Sequence, residues 1–192
     1  MSHFFAYLSR MRFIRRRGLT HSTHVENIQE PSLRVAMIAH ALAIVRNRLF
    51  GGAVSPERLA LLAMYHDAGE VLTGDLPRPV KYFNPEIETS YHRIEAVARD
   101  KLLGMVPDAL RADDAGLFYP DAAAADEQAL VQAADKICAY LKCLEEVGAG
   151  NREFVQAEKA LRQTIEAIDL PEVHDFVATF VPSFRLTLDD LT

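Results

Sequence analysis

Three ionisable side chains follow directly on a run of apolar residues. His66, Asp67 and Glu70 come after residues 59–65, which read Leu-Ala-Leu-Leu-Ala-Met-Tyr. On an α-helix Asp67 lies about 100° and Glu70 about 40° from His66, so all three share one face. Burying such groups without partners costs several kcal/mol, and a metal ion or a basic partner removes that cost. The pattern therefore indicates a metal-binding or catalytic site.

The His-Asp pair alone is weak evidence, because the chain contains a second one at His174-Asp175. The positions three and four residues after His174 are Val177 and Ala178, so no acidic residue accompanies that pair. We expect His174-Asp175 to lie on the surface without a chemical role.

The N-terminal segment is basic although the chain as a whole carries a net charge of −6. The overall charge argues against binding to a nucleic-acid polymer. An arginine-rich start without acidic residues fits a transit peptide, a solvated first helix, or a site where one arginine binds a phosphate; of these we favour the solvated helix. The first acidic residue is Glu26, and before it stand Arg10, Arg12, Arg15, Arg16 and Arg17.

Cysteine content and hydropathy indicate a cytoplasmic protein. Cys138 and Cys143 are the only cysteines, and their spacing places them on different faces of a helix, which excludes an intrahelical disulfide. The absence of a disulfide framework is typical of a reducing compartment. Residues 35–45 form the longest uncharged run in the first half, shorter than the roughly 20 residues of a membrane span, and we find no secretory signal.

Helix start signals recur along the chain, whereas strand patterns are nearly absent. Ser55-Pro56 and Asn84-Pro85 each place an N-cap residue before a proline at the first helical position. The sequence predicts an all-α domain of roughly seven or eight helices over residues 1–192. The predicted helices cover residues 3–14, 31–47, 59–72, 85–103, 127–147, 151–168 and 171–181, with a loop at 113–124.

Two helical segments are apolar on nearly every face, residues 35–45 and 59–65. Helices of this kind lie at the centre of a bundle. In the first helix we expect the inward-facing residues to be Phe4, Phe5, Leu8, Met11 and Ile14.

The surroundings of His66 resemble those in the HD-domain metal-dependent phosphohydrolases, and most closely the bacterial 5′-deoxynucleotidases. The resemblance rests on residues 62–77, which contain His66-Asp67, and on Ala133-Ala134-Asp135. Further matching segments are residues 2–6, 26–27, 35–43, 79–83, 139–146 and 181–184. Together they cover nearly the whole chain.

This resemblance implies an HD-type helical fold, a homodimer, and hydrolysis of deoxyribonucleoside 5′-monophosphates to nucleoside and phosphate. It implies that His66, Asp67 and Asp135 bind a divalent transition metal, for which mixed imidazole and carboxylate ligands suit Mn, Co, Ni, Fe or Zn. Glu70 would be the acid/base group and Arg16 would hold the phosphate. The residues implied on the nucleoside side are Asp75, Leu76, Pro77 and Arg78. Arg17, which we also place at the substrate, and Gly18 depart from the family pattern, which bears on sugar selectivity.

One metal ligand of the family pattern is missing. The family has a further histidine where this chain has Pro31, and proline offers no lone pair, although it suits the first turn of a helix. Glu30, His21 or His24 would replace the ligand only if the preceding loop folds inward, and a water is another candidate. His40 points to the opposite face of the helix, where we expect a hydrogen-bonded core histidine, and Arg34 brings the wrong charge.

Three functions remain open on the sequence. The favoured one is an active HD phosphohydrolase that has three protein ligands to its metal and hydrolyses deoxyribonucleoside or ribonucleoside 5′-monophosphates. The second is a catalytically impaired relative that binds nucleotides or a protein partner, and the third is a helical interaction protein whose polar cluster is structural. Metal content separates the first from the others.

Overall fold

The computed structural model describes residues 1–120 and 125–191, apart from the side chain of Arg78. Within this part the chain is helical and contains no β-strand, only an isolated bridge between Arg15 and Asn27. The predicted all-α class is confirmed. The α-helices are α1 (Phe4–Leu8), α2 (Gln29–Leu49), α3 (Pro56–Tyr65), α4 (Glu70–Thr73), α5 (Arg78–Lys81), α6 (Pro85–Leu103), α7 (Asp108–Phe118), α8 (Ala125–Gly148), α9 (Val155–Glu166) and α10 (Pro171–Phe180). Short 3₁₀ segments lie at Ser9–Phe13, Arg152–Phe154, Val181–Arg185 and Leu188–Leu191.

Helix starts follow the local sequence signals. The Ser55 hydroxyl accepts a hydrogen bond from the Arg58 N–H, and the Asn84 side chain accepts one from the Ile87 N–H. Both satisfy amide groups that have no partner inside the helix, and proline follows at the first helical position. The caps predicted for α3 and α6 are therefore confirmed.

The main core lies where α2 packs against α3, α8 and α10. Leu42, Leu59, Ile137 and Leu141 are fully buried there. A smaller cluster, which includes Phe4, Leu102 and Phe118, joins the N-terminus to α6 and α7. Truncating one of the buried leucines to alanine costs about 2–5 kcal/mol. The main core therefore fixes α8, which carries Asp135, relative to the end of α3, which precedes His66 and Asp67.

Several predicted elements differ from the structure. Residues 113–118 belong to α7 rather than to a loop, because the alanines around them favour helix and Asp108 lies in the first turn of the helix. Residues 121–124, also predicted as loop, lie outside the described residues. The first helix changes to 3₁₀ geometry after Leu8, and Phe5 faces solvent with 71 % of its surface exposed.

The two apolar segments are not buried all round, contrary to the prediction. In residues 35–45, Met37 and Ile44 are exposed, and in residues 59–65, Leu61 and Met64 are exposed. The prediction failed because hydropathy measures the tendency to be buried but not what is available to cover each face.

No helix within the described part of the chain combines the length and the apolar character needed to span a bilayer.

Candidate active site

His66 and Asp67 lie in a tight turn between two helices. α3 ends at Tyr65 and α4 begins at Glu70. The Ala68 N–H donates to the Tyr65 carbonyl at 3.0 Å and the Glu70 N–H to the Asp67 carbonyl at 3.0 Å, so the turn has the i to i+3 bonding of a 3₁₀ helix. In that geometry residues three apart lie above one another, which places Glu70 beside Asp67. The predicted shared face therefore survives, although the continuous helix does not.

The imidazole of His66 is oriented by the end of α3. Its Nδ1 lies 2.6 Å from the Ala63 carbonyl oxygen, and because that oxygen can only accept, Nδ1 is the donor. Nε2 then faces the carboxylates, 3.1 Å from Oδ2 of Asp67 and 3.8 Å from Oδ1 of Asp135. It is buried without an aligned hydrogen-bond partner. The lone pair of Nε2 therefore faces two carboxylates, and a proton or a metal ion between them would remove the repulsion.

Arg16 reaches the same cluster from the N-terminal segment. Its Nη2 donates to Oδ1 of Asp135 at 3.0 Å, and its Nη1 lies 3.7 Å from Oδ2 of Asp67. Nη1 is buried and has no hydrogen-bond partner. Arg16 is thus drawn into the cluster, whereas Arg10, Arg12 and Arg15 are exposed.

Residues 14–28 form a loop, here called the arginine loop, which hydrogen bonds hold at its base and at its tip. At the base, the Arg16 N–H donates to the Glu26 carbonyl at 2.9 Å and the Ile28 N–H to the Ile14 carbonyl at 3.0 Å. At the tip, the Glu146 carboxylate accepts from the Thr23 N–H and hydroxyl, both at 2.8 Å.

Lys142 completes the anchor of the arginine loop on α8. Its Nζ donates to the His24 carbonyl at 2.7 Å and pairs with Glu146 at 2.7 Å. Asp135, Lys142 and Glu146 lie seven and four residues apart, on one face of α8. One helix face thus carries both a site carboxylate and the anchor of the loop that delivers Arg16.

The charges of the cluster move its pKa values strongly. Burial opposes the charge on His66 and on Arg16, but the carboxylates outweigh burial, so the pKa of His66 rises to about 10 and that of Arg16 rises further above its usual value. The same contacts lower the pKa values of Asp67 and Asp135 against the effect of burial. Burial raises the pKa of Glu70 to about 9, with repulsion from Asp67 and Asp75 added. Glu70 is thus the acid of the cluster whose charged form is least favoured.

The cluster opens into a cleft of about 380 Å³. Of the predicted substrate residues, Arg17, Asp75 and Leu76 line this cleft, whereas Pro77 lines a neighbouring cavity. The side chain of Arg78 lies outside the described part of the chain. Residues of the cleft that sequence reasoning missed are Lys81, Tyr82, Tyr91, Gln132 and Lys136. The sequence offered little indication of these residues, since only their position after Asp75 or beside Asp135 on α8 would have suggested that they lie near the site.

Arg17 has an unusual backbone. Its φ of 57° places it in the left-handed region, which costs a residue with a side chain about 1–2 kcal/mol. The Arg17 N–H donates to Oδ2 of Asp75 at 2.6 Å, and this bond holds the conformation. Strain of this kind persists where surrounding contacts determine it, often at functional sites.

Pro31 is buried in the first turn of α2, beside the candidate site. Its carbonyl accepts a weak hydrogen bond from the Cys138 thiol at 3.9 Å, and Cys138 lies one turn after Asp135 on α8. None of the suggested replacements for the missing histidine lines the cleft. His24 Nε2 lies 3.9 Å from the Glu30 carboxylate in a separate pocket, and the His21 N–H donates to Glu153. His40 is half-buried on the exposed side of α2, so its predicted place in the core is wrong.

The side chains of His66, Asp67 and Asp135 are of the types that bind a divalent transition metal, although they do not form a complete metal site. An imidazole nitrogen without a partner faces two carboxylates, which is the mixed ligand set that such metals accept. Within residues 1–120 and 125–191, however, no group of three or more His, Cys, Asp or Glu side chains forms a finished metal centre. The Arg16 guanidinium contacts the same two carboxylates.

Comparison with known proteins decides the family. Residues 3–184 match the model of the "5′-deoxynucleotidase YfbR-like" family. The chain belongs to this family. It is 55 % identical over 191 residues to a 5′-deoxynucleotidase of Vibrio cholerae, covering 100 % of this chain and 98 % of that one. It is also 55 % identical to the 5′-deoxynucleotidase YfbR of Salmonella paratyphi B, covering 100 % of this chain and 96 % of that one.

Solved structures show the same fold. An HD-domain phosphohydrolase from Listeria innocua superimposes with a TM-score of 0.81 at 23 % identity, over 95 % of this chain and 88 % of that one. A cyanophage S-2L HD phosphohydrolase, solved with dA and one catalytic Zn²⁺ ion, gives a TM-score of 0.62 at 18 % identity over 95 % and 96 %. The predictions of an HD-type fold, of the 5′-deoxynucleotidase family and of an enzyme are thereby confirmed.

Proposed function

We propose that this protein hydrolyses deoxyribonucleoside 5′-monophosphates to nucleoside and phosphate in the cleft around His66. The observation that carries the proposal is the meeting of Arg16, Asp67 and Asp135 at one point, although 119 residues separate Arg16 from Asp135. Relatives named as 5′-deoxynucleotidases at 55 % identity support the substrate class.

His66, Asp67 and Asp135 are the residues that would hold the metal. When bound, a divalent transition metal supplies charge that lowers the pKa of water and offsets that of the phosphate. The Zn²⁺ of the cyanophage phosphohydrolase supports this class of cofactor, which is Mn, Co, Ni, Fe or Zn on the ligand types alone.

Arg16 and Glu70 have separate tasks on the substrate. The buried Nη1 of Arg16 makes no hydrogen bond, and a phosphate oxygen would accept a charge-assisted one from it. Glu70 lies beside Asp67 and moves a proton between the attacking water and the leaving oxygen. Asp75 and Leu76 line the cleft on the nucleoside side.

Phosphate release from a panel of nucleoside monophosphates tests the proposal, with Mn, Co or Zn added to the full-length protein. We expect release that requires the metal and that falls at least tenfold in Arg16→Ala. Arg12→Ala is the matched control, since Arg12 lies on the same segment and stacks on Phe13 at 4.6 Å rather than entering the cleft. Absence of metal-dependent release with every monophosphate would favour the catalytically impaired alternative.

The protein also forms a homodimer in this proposal. Leu33, Met37, His40 and Ile44 follow a 4-3-4 spacing along the exposed face of α2. This spacing is that of a helix–helix seam, and a two-fold axis would pair the stripe with its own copy in antiparallel orientation. Exposed Met64 and Phe5 extend the apolar surface on either side of a groove between α1, α2 and α3.

A further inference from the structure

A second cavity adjoins the candidate active-site cleft. Its volume is about 470 Å³, larger than the roughly 380 Å³ of the cleft itself. The two spaces share Arg17, Asp75, Ala139 and Leu161 as a common wall. A cleft of this size accommodates a small ligand by itself, so the cavity is additional room beside the substrate.

Arg17 contributes a positive charge to that wall. Its guanidinium carbon lies 5.8 Å above the ring of Phe154, and its Nη1 is buried without a hydrogen-bond partner. The two carboxylates that line the cavity already accept backbone N–H groups, Asp75 from Arg17 and Glu153 from His21 at 3.3 Å. A buried hydrogen-bond donor without an acceptor destabilises the protein, so a ligand that offers an acceptor to Arg17 Nη1 would bind favourably here.

The two arginines face different parts of the combined space formed by the cleft and the cavity. Arg16 binds Asp135, whereas Arg17 reaches the cavity that Cys143 lines. Asp135 and Cys143 are eight residues apart on α8, which corresponds to about 12 Å along the helix axis. Asp75, on the nucleoside side of the cleft, lies between these positions because it contacts the Arg17 backbone and lines both spaces.

We propose that the cleft and cavity together bind nucleotides that carry a second phosphate on the 3′ oxygen, and that Arg17 binds this second phosphate. This inference rests on the proposed function, which places the 5′-phosphate at Arg16. A guanidinium presents parallel N–H groups that fit phosphate oxygens, and the left-handed backbone of Arg17 turns it away from Arg16.

The reaction balances as the proposed hydrolysis does. Water attacks the phosphorus of the 5′-phosphate, the bond from phosphorus to O5′ breaks, and O5′ takes up a proton. The products are inorganic phosphate and a nucleoside 3′-phosphate, and the second phosphate is not altered.

Calorimetric titration of metal-stripped, full-length protein tests the inference without turnover. The probes are 2′-deoxyadenosine 3′,5′-bisphosphate and 2′-deoxyadenosine 5′-monophosphate. We expect the bisphosphate to bind the wild type at least tenfold more tightly. In Arg17→Gln the ratio of the two dissociation constants should fall to near one, and Arg17→Lys should retain a ratio of at least threefold. Arg15→Gln is the matched control, because Arg15 is exposed on the same loop, and its ratio should equal that of the wild type.

Equal affinities in the wild type, an unchanged ratio in Arg17→Gln, or an equal loss for both probes would each overturn the inference. Circular dichroism of each variant confirms that it is folded before titration. The two proposals fail separately: a high ratio without hydrolysis of any monophosphate removes the proposed function alone, whereas metal-dependent hydrolysis with a ratio of one removes only the role of Arg17.

Discussion

At the scale of single residues, the site combines acids and bases whose charges depend on one another. His66, Asp67, Asp135 and Arg16 form a nearly closed set of ion pairs, and Glu70 lies beside this set with a pKa raised to about 9. Removing one member therefore changes the others, so informative substitutions keep shape and alter one property.

Glu70→Gln is such a substitution. It should lower turnover of deoxynucleoside monophosphates by about 10²–10⁴-fold, the usual contribution of a general acid/base group. Metal content should remain that of the wild type, because Glu70 is assigned to proton transfer and not to the metal. Phosphate release and metal analysis of the same preparation check both statements. A variant that loses its metal, or that keeps full activity, would show that the assigned role is wrong.

Pro31→His should add a protein ligand to the metal. The backbone tolerates the change because a first-turn position does not require proline, and position 31 lies against the part of α8 that carries Asp135. We expect metal affinity to rise at least tenfold in calorimetric titrations of Mn or Co, together with activity at low metal concentration. Pro31→Ala is the matched control, since it removes proline without adding a ligand. Equal affinity in the two variants would contradict the idea of an unfilled coordination position.

At the scale of elements, α8 organises the site. It contributes Asp135 directly and holds the arginine loop through Lys142 and Glu146, whose exposed fractions are 4 % and 1 %. A buried ion pair of this kind makes the loss of one partner costly, because the other charge is left in the protein interior.

Glu146→Ala should therefore destabilise the protein by about 3–5 kcal/mol. Glu145→Ala is a close control, because the neighbouring Glu145 pairs with Arg34 at 3.2 Å in a half-exposed position, where a pair contributes less than about 1 kcal/mol. Denaturant unfolding of both variants measures the difference. Similar costs in the two variants would mean that Glu146 does not anchor the loop.

The contribution of Glu146 should depend on pH. Burial alone would raise the pKa of the Glu146 carboxyl, but hydrogen bonds from Lys142, Thr23 and Asn151 outweigh it and lower the pKa. A carboxylate with a lowered folded pKa stabilises the protein fully above its unfolded pKa of about 4.3. That contribution is lost as pH falls below this value. The stability difference between wild type and Glu146→Ala should thus be largest near pH 7 and shrink below about pH 4, as measured by urea unfolding across this range.

At the scale of the whole molecule, the stripe formed by Leu33, Met37, His40 and Ile44 on α2 predicts a homodimer. Met37, with 62 % of its surface exposed, lies in the middle of the stripe. Met37→Glu places a charge at the centre of a self-complementary interface and should convert the dimer to a monomer at micromolar concentration. Sedimentation velocity measures the change. Gln163→Glu, an exposed substitution on α9, should leave the dimer intact. A wild type that sediments as a monomer would contradict the proposed dimer.

The sequence determined the features that depend on local rules. Caps at Ser55 and Asn84 specified where α3 and α6 begin, because the cap side chain and the proline act within one turn. The contents of the site were also readable, since His66, Asp67 and Glu70 lie within five residues and the resemblance supplied Asp135 and Arg16.

Only the tertiary structure decided features that depend on distant contacts. Arg16 contacts Asp135, whereas the neighbouring Arg17 points towards Phe154. The local sequence could not predict this difference, because it depends on the left-handed backbone of Arg17 and on its contact with the distant Asp75. The helix α7 was missed because its apolar pattern is weak and Phe118 is buried against a cluster formed by remote segments. Exposure of Phe5 and Met37 was likewise unreadable, since hydropathy gives the preference of a side chain for burial, and the packed neighbours decide whether that preference is met.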